Sequence, residues 1–243
     1  MPLHLKTAPT KTFADTAQQD VAERVRGIIG DIRENGDVAV RRYAEQFDDW
    51  SRDSYRLSDE EITEIIGTLD AQVITDIEFV QSQVRRFAQA QRDSLVDIEV
   101  ETLPGVFLGQ KHVPVQAAGA YIPGGKYPLT ASAHMTIITA KVAGVPRVVA
   151  CTPPIRGEIP AATVAAMKMA GADEIYILGG VQAVAAMAVG TDSIEPVNMI
   201  AGPGNAYVAE AKRQLFGEVG IDLFAGPTAV SYTHLRAHET RGN

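Results

Sequence analysis

Between residues 115 and 216 short apolar runs alternate with stretches of helical periodicity, an order that only a few folds accommodate. Candidate strands fall at 118–122, 148–151, 175–178 and 197–200, with helices at about 131–143, 159–170, 181–188 and 205–216. Such alternation builds parallel βαβ units with helices on both faces of the sheet. The fold class is therefore α/β: an incomplete doubly wound, Rossmann-like parallel sheet, preceded by a helical N-terminal region.

Glycine-bearing turns carry the chain from strand into helix, most plainly at Gly119-Ala-Tyr-Ile-Pro-Gly-Gly-Lys-Tyr-Pro128 and Gly202-Pro-Gly-Asn-Ala-Tyr207. Turns of this kind bring backbone N–H groups to a helix N-terminus, where an anion such as a phosphate is favoured. Two of them suggest an enzyme holding a nucleotide or another anionic ligand beyond the carboxyl ends of the strands. The dinucleotide fingerprint G-x-G-x-x-G is absent after every candidate strand, and Gly202-Pro-Gly204 has only two of its glycines. At Gly179-Gly180, ahead of Val181 and Gln182, left-handed turn geometry explains the glycines about as well as binding does.

Ahead of the sheet, Val21, Val25, Ile28, Ile29 and Ile32 recur at helical spacing, and Asn35-Gly36 supplies a stop before a second helix over about 38–47. Ser58-Asp-Glu-Glu61 has the form of a capping box, and a long helix follows over about 71–91. Alternation at 98–102, a Pro104-Gly105 turn and an extended run from Val106 read as a hairpin. The expected organisation is a helical region over 1–96, a nucleotide-binding α/β region over 97–230, and a tail over 231–243. That tail is polar and basic on an otherwise acidic chain, and resembles a read-through end.

With 243 residues, 46% of them hydrophobic, the chain can bury a sizeable core. A net charge of −8 argues against nucleic-acid and anionic-membrane partners, though local backbone dipoles can still hold an anion. The single Cys151 excludes an internal disulfide and suits a reducing compartment. No apolar run reaches membrane-spanning length, and residues 1–7 lack the apolar stretch of a secretory signal, so cytoplasm is expected.

Taken singly, the candidate side chains each have an ordinary explanation. Tyr121 ends a strand with its phenol able to reach a crevice, yet a core or rim tyrosine is commoner. Lys126 follows Gly124-Gly125 and could meet an acidic substrate group, or simply be solvated. Ser132 and His134 fall in the first turns of the next helix, where a histidine is more often a satisfied helix residue than a base. Cys151 sits on a strand that should be buried, as an inert thiol. His234 and His238 have the spacing of a helical metal pair but lie in the foreign-looking tail.

The accumulated string is more specific. Tyr121-Ile-Pro-Gly-Gly, Ala140-Lys-Val-Ala-Gly-Val145, Cys151-Thr-Pro-Pro154, Gly179-Gly-Val-Gln-Ala-Val184, Gly202-Pro-Gly-Asn-Ala-Tyr-Val208, Glu210-Ala-Lys-Arg213 and Ala225-Gly-Pro-Thr228 resemble, in that order, the histidinol dehydrogenase family. The match runs from about Val21 to Val230. It implies a zinc-containing, NAD-dependent, homodimeric enzyme that oxidises a primary alcohol through an aldehyde to a carboxylate, in two hydride transfers. By position, Tyr121, Gln182 and Asn205 correspond to the family's NAD-contacting residues. The chemistry suits them, since amides can hydrogen-bond ribose or carboxamide groups and a tyrosine packs with a polar tip. Thr228 stands where the family has the serine of its substrate-contacting Ala-Gly-Pro-Ser motif.

The departures bear on activity. The family's Gln-x-x-His zinc pair, its later aspartate and histidine ligands and its Glu-His acid/base pair all follow that motif. None is present before the chain leaves the family pattern near Val230, so the expectation is an N-terminal fragment with no catalytic pair, no metal ligands and no turnover. Gly109-Gln-Lys-His-Val-Pro114 and Gly125-Lys-Tyr-Pro-Leu-Thr-Ala-Ser-Ala-His-Met135 are similar to the sulfopropanediol 3-dehydrogenase branch. That branch implies 2,3-dihydroxypropane-1-sulfonate as the substrate, with Lys126 and His134 facing the sulfonate. L-histidinol is the alternative substrate, and a non-catalytic nucleotide-binding module is the alternative of another class.

Overall fold

The computed structural model describes residues 11–125 and 128–223. Its first helix, α1 (Lys11–Asp48), bends where the sequence places a stop: Gly36 adopts φ 50 and ψ −131, and a second helical stretch continues beyond it. Helix α2 (Asp59–Gly67) opens with the expected capping box. The Ser58 hydroxyl accepts from Glu61 N–H at 3.1 Å, and the Glu61 carboxylate accepts from Ser58 N–H at 2.8 Å. Helix α3 (Ala71–Asp93) is capped by Asp70. Strands β1 (Ile98–Leu103) and β2 (Val106–Gln110) pair antiparallel as a hairpin that is exposed along its whole length.

From β3 (Ala117–Tyr121) the elements alternate as expected: α4 (Thr130–Val142), β4 (Arg147–Thr152), α5 (Ala161–Ala170), β5 (Glu174–Ile177), α6 (Gly180–Val189), β6 (Met199–Ala201) and α7 (Ala206–Leu215). A two-residue strand that periodicity does not reveal, β7 (Gly220–Ile221), closes one edge. The sheet order is β5-β4-β3-β6-β7 and every neighbouring pair is parallel. The chain thus steps outward from β3 in one direction, then crosses back to β6 on its other side. This reversal is the switch point of a doubly wound sheet.

Alternation along the strands divides the core in two. Ala117, Tyr121, Val149, Cys151 and Ile200 pack under α1, α6 and α7. Ala118, Ala120, Ile122, Val148, Ala150 and Ile177 pack under α4 and α5, with α2 and α3 against them. All of these positions are 0–8% exposed, as parallel strands covered on both faces require. Trp50, just past α1, donates from its indole to the carbonyl of Ile177 at 3.1 Å and fastens the end of that helix to the sheet's carboxyl edge. No helix among the described residues is long and apolar enough to cross a membrane.

Candidate functional site

A cleft of about 1240 Å³ opens at the carboxyl ends of β3 and β4 and at the N-terminal ends of α6 and α7. Its floor is the turns after the strands: Pro123 to Gly125, Pro153 to Arg156, Gly180 to Gln182, and Asn205 with Tyr207. Its opposite wall is α1, which contributes Arg24, Ile28, Asp31, Tyr43, Phe47 and Asp48. Tyr121, Gln182 and Asn205, distant in sequence, line this one cleft.

The turn after β6 is held shut by its backbone. Gly202 has φ 132, and a Cβ there would collide with the carbonyl of Tyr121. Its N–H donates to Asp222 Oδ2 at 2.8 Å and its carbonyl accepts from Lys212 Nζ at 2.9 Å. Lys212 is only 5% exposed and also ion-pairs with Asp222. Asn205 caps α7, its side-chain oxygen accepting from Tyr207 N–H at 3.0 Å and Val208 N–H at 3.1 Å. Two first-turn amides of α7 are therefore taken by Asn205, so they are not the bare anion donors that the glycine pattern implies.

Around the start of α6 three side chains interlock. The Tyr121 phenol oxygen accepts the Gly180 N–H at 3.0 Å, and burial pushes this phenol up to about 12. Gln182 is fully buried and donates from Nε2 to Asp48 Oδ2 at 3.0 Å, while its Oε1 has no hydrogen-bond partner among the described residues. Burial raises the Asp48 carboxyl above the usual carboxylate range, and the Gln182 amide draws it part of the way back. Farther out, Asp31 accepts from the Tyr43 hydroxyl at 2.6 Å, from Arg42 and from Asn35, and these bonds hold its carboxyl below the ordinary range.

Not every expected residue reaches the cleft. His134 is 3% exposed and lies between α3, α4 and α5, where its Nδ1 accepts from Gln81 Nε2 at 3.2 Å. The Gln81 amide also donates to the Ala166 carbonyl at 2.9 Å. Desolvation lowers the imidazole's basicity. A substrate-facing His134 is thus corrected to a neutral histidine satisfied in the core, because that face of α4 is covered by α3. Cys151 is fully buried and its thiol is pushed well up by burial, as an inert core residue requires. Lys126 and Thr228, with His234 and His238, lie outside the described residues. Among the described residues no three of His, Cys, Asp and Glu gather as a metal site.

Sequence reasoning did not find Asp48 or Asp31, because their place in the cleft depends on α1 folding back across the sheet.

The family model described as histidinol dehydrogenase matches residues 12–233. A histidinol dehydrogenase homolog from Shouchella clausii is 59% identical over 230 residues, covering 95% of this chain and 54% of the relative. A sulfopropanediol 3-dehydrogenase from Ruegeria pomeroyi is 47% identical, over 93% of this chain and 51% of the relative. The crystal structure of histidinol dehydrogenase from Elizabethkingia anophelis aligns with a TM-score of 0.80 at 32% identity, over 93% of this chain and 50% of that one. The chain spans about half the length of the curated relatives it matches. A match across this much of the chain, in sequence and in fold, makes it a member of the histidinol dehydrogenase family.

Proposed function

We propose that this chain carries the NAD-binding cleft of a dehydrogenase that oxidises a small primary alcohol through an aldehyde to a carboxylate. The observation that carries the reading is the convergence of Tyr121, Gln182 and Asn205 on one cleft at the sheet's switch point. The cleft fits such a cofactor chemically: the buried Gln182 Oε1 wants a donor. NAD, when bound, supplies the hydride acceptor. The chain's own residues bind and orient it, with Gln182 and Asn205 as hydrogen-bonding amides and Tyr121 packing beneath.

Zinc is a different matter. The described residues offer it no ligand set, so no step here is assigned to a metal. The reading includes a cytoplasmic homodimer acting on a small alcohol, supported by the family membership and by the single buried cysteine. For the substrate we favour 2,3-dihydroxypropane-1-sulfonate over L-histidinol on the likeness of residues 109–114 and 125–135 to the sulfopropanediol branch. The relative bearing that name is 47% identical, while a 59% identical one is named only a histidinol dehydrogenase homolog.

Calorimetric titration of the chain with NAD tests the reading. Saturable binding is expected, weakened about tenfold by Gln182→Ala, the loss of one good hydrogen bond. A folded chain that shows no binding heat at millimolar NAD would refute it. Steady-state rates on both alcohols, measured in a protein with the relatives' full length, decide the substrate.

A further inference from the structure

Asp48 is the residue in the cleft whose contact leaves the most specific trace. It stands at the end of α1 and accepts from the Gln182 amide nitrogen across 134 residues of sequence. An ionised carboxylate only accepts hydrogen bonds, so Gln182 must turn Nε2 toward it and Oε1 away. That orientation leaves Oε1 buried without a partner. A buried acceptor without a partner is costly, and a native protein keeps one where a ligand satisfies it. The orphan oxygen lies over the start of α6: a Cβ on Gly180 would come within 2.6 Å of it. The same glycine's N–H is held by the Tyr121 phenol, which keeps its own proton to donate.

We infer that Asp48 is a positioning residue that locks the Gln182 carboxamide with its oxygen presented to a hydrogen-bond donor on the bound ligand. The inference rests on the NAD reading for the identity of that ligand, while the lock is a property of the chain alone. A hydroxyl group meets the requirement on both sides. It can donate to Gln182 Oε1 and accept from the Tyr121 O–H, whereas a group that only accepts, such as a phosphate oxygen, would face a bare carbonyl. Among the described residues the Gln182 amide nitrogen has its hydrogen bond to Asp48, so losing Asp48 removes the contact that sets the amide's orientation.

Two readouts test the lock. In nitrogen-15 NMR spectra, the Gln182 side-chain NH2 signals, assigned by their loss in Gln182→Ala, are expected to exchange with solvent at least tenfold more slowly than those of exposed glutamines. Asp48→Ala removes that protection, and Asp48→Asn weakens it, since an amide accepts or donates and no longer dictates the orientation. Fast exchange in the wild-type chain, or unchanged protection in folded Asp48→Ala, overturns the proposal whatever binds in the cleft. In NAD titrations, Asp48→Ala is expected to weaken binding about tenfold alone and less than twofold in a Gln182→Ala background. A loss of the same size in both backgrounds would mean that Asp48 acts independently of Gln182 and would overturn the inference. If NAD does not bind at all, the cofactor reading falls, and the NMR arm still decides the lock.

Discussion

Lys212 donates to the carbonyl of Gly202 at 2.9 Å and pairs with one oxygen of Asp222, whose other oxygen accepts the Gly202 N–H at 2.8 Å. Both polar groups of one glycine are thereby tied to a single ion pair, and the turn after β6 is fixed before any ligand arrives. A charge as buried as Lys212 is tolerated because the carbonyl and the carboxylate satisfy it together.

Replacing Lys212 by methionine should destabilise the chain by about 2–3 kcal/mol. This lies just below the range for breaking a fully buried pair, because the Asp222 side chain keeps 32% exposure and recovers part of its hydration. Urea unfolding at pH 7 checks it. A change under 0.5 kcal/mol would show that the pair is ornamental. On the proposed NAD reading, the same variant should also weaken binding, since the Gly202 turn leads directly to the cleft-lining Asn205.

Gly202→Ala tests the turn directly. A positive φ of 132 is strained for alanine, and its methyl would meet the Tyr121 carbonyl. A stability loss of about 2 kcal/mol or more is expected. Gly217→Ala is a suitable control: its φ is also positive, but nothing lies within 4 Å of a Cβ there, so the strain acts alone and the loss should be smaller. Thermal denaturation of the two variants separates collision from conformation.

Stability should fall on the alkaline side. Burial raises the Tyr121 phenol to about 12, and also raises the Tyr176 phenol and the Cys151 thiol. Acids raised on folding favour the native state while they stay protonated, and that contribution is lost as pH climbs from their unfolded values toward their folded ones. For Tyr121 the window is about pH 10 to 12, and two units correspond to about 2–3 kcal/mol. Urea midpoints should therefore decline from about pH 8.5 onward. Tyr121→Phe should decline less steeply above pH 10, though from a lower starting stability, because Gly180 N–H loses its acceptor.

The order of elements was legible because each strand and helix carries its own period. The capping box at Ser58 and Glu61 and the break at Gly36 are likewise local signals. The pair Gly220–Ile221 was not legible, since two residues carry no periodicity and pair only because β6 lies beside them. The cleft was half legible. Tyr121, Gln182 and Asn205 stand in recognisable turns, whereas Asp48 and Asp31 enter only through the path of α1 over the sheet. The burial of His134 is not legible, because a helix turn shows which residues follow a loop, not that α3 covers them with Gln81.

Asn205 has two roles that one substitution can separate. Its oxygen caps α7 through Tyr207 and Val208, which leaves the amide nitrogen for the cleft. Asn205→Ala should cost about 1 kcal/mol of stability through the lost cap, and weaken NAD binding as well. Asn205→Asp keeps the accepting oxygen and adds a negative charge where the helix dipole welcomes it, so stability should hold or rise slightly. On the proposed NAD reading, the same variant also loses the donating NH2 and sets a carboxylate beside an anionic cofactor. Its affinity for NAD should fall about tenfold or more, a cost comparable to one charge-assisted contact. Thermal melts and calorimetric titrations on the three proteins check both halves. Undiminished NAD affinity in Asn205→Asp would confine this residue to its helix cap, and leave cofactor recognition to Tyr121 and Gln182.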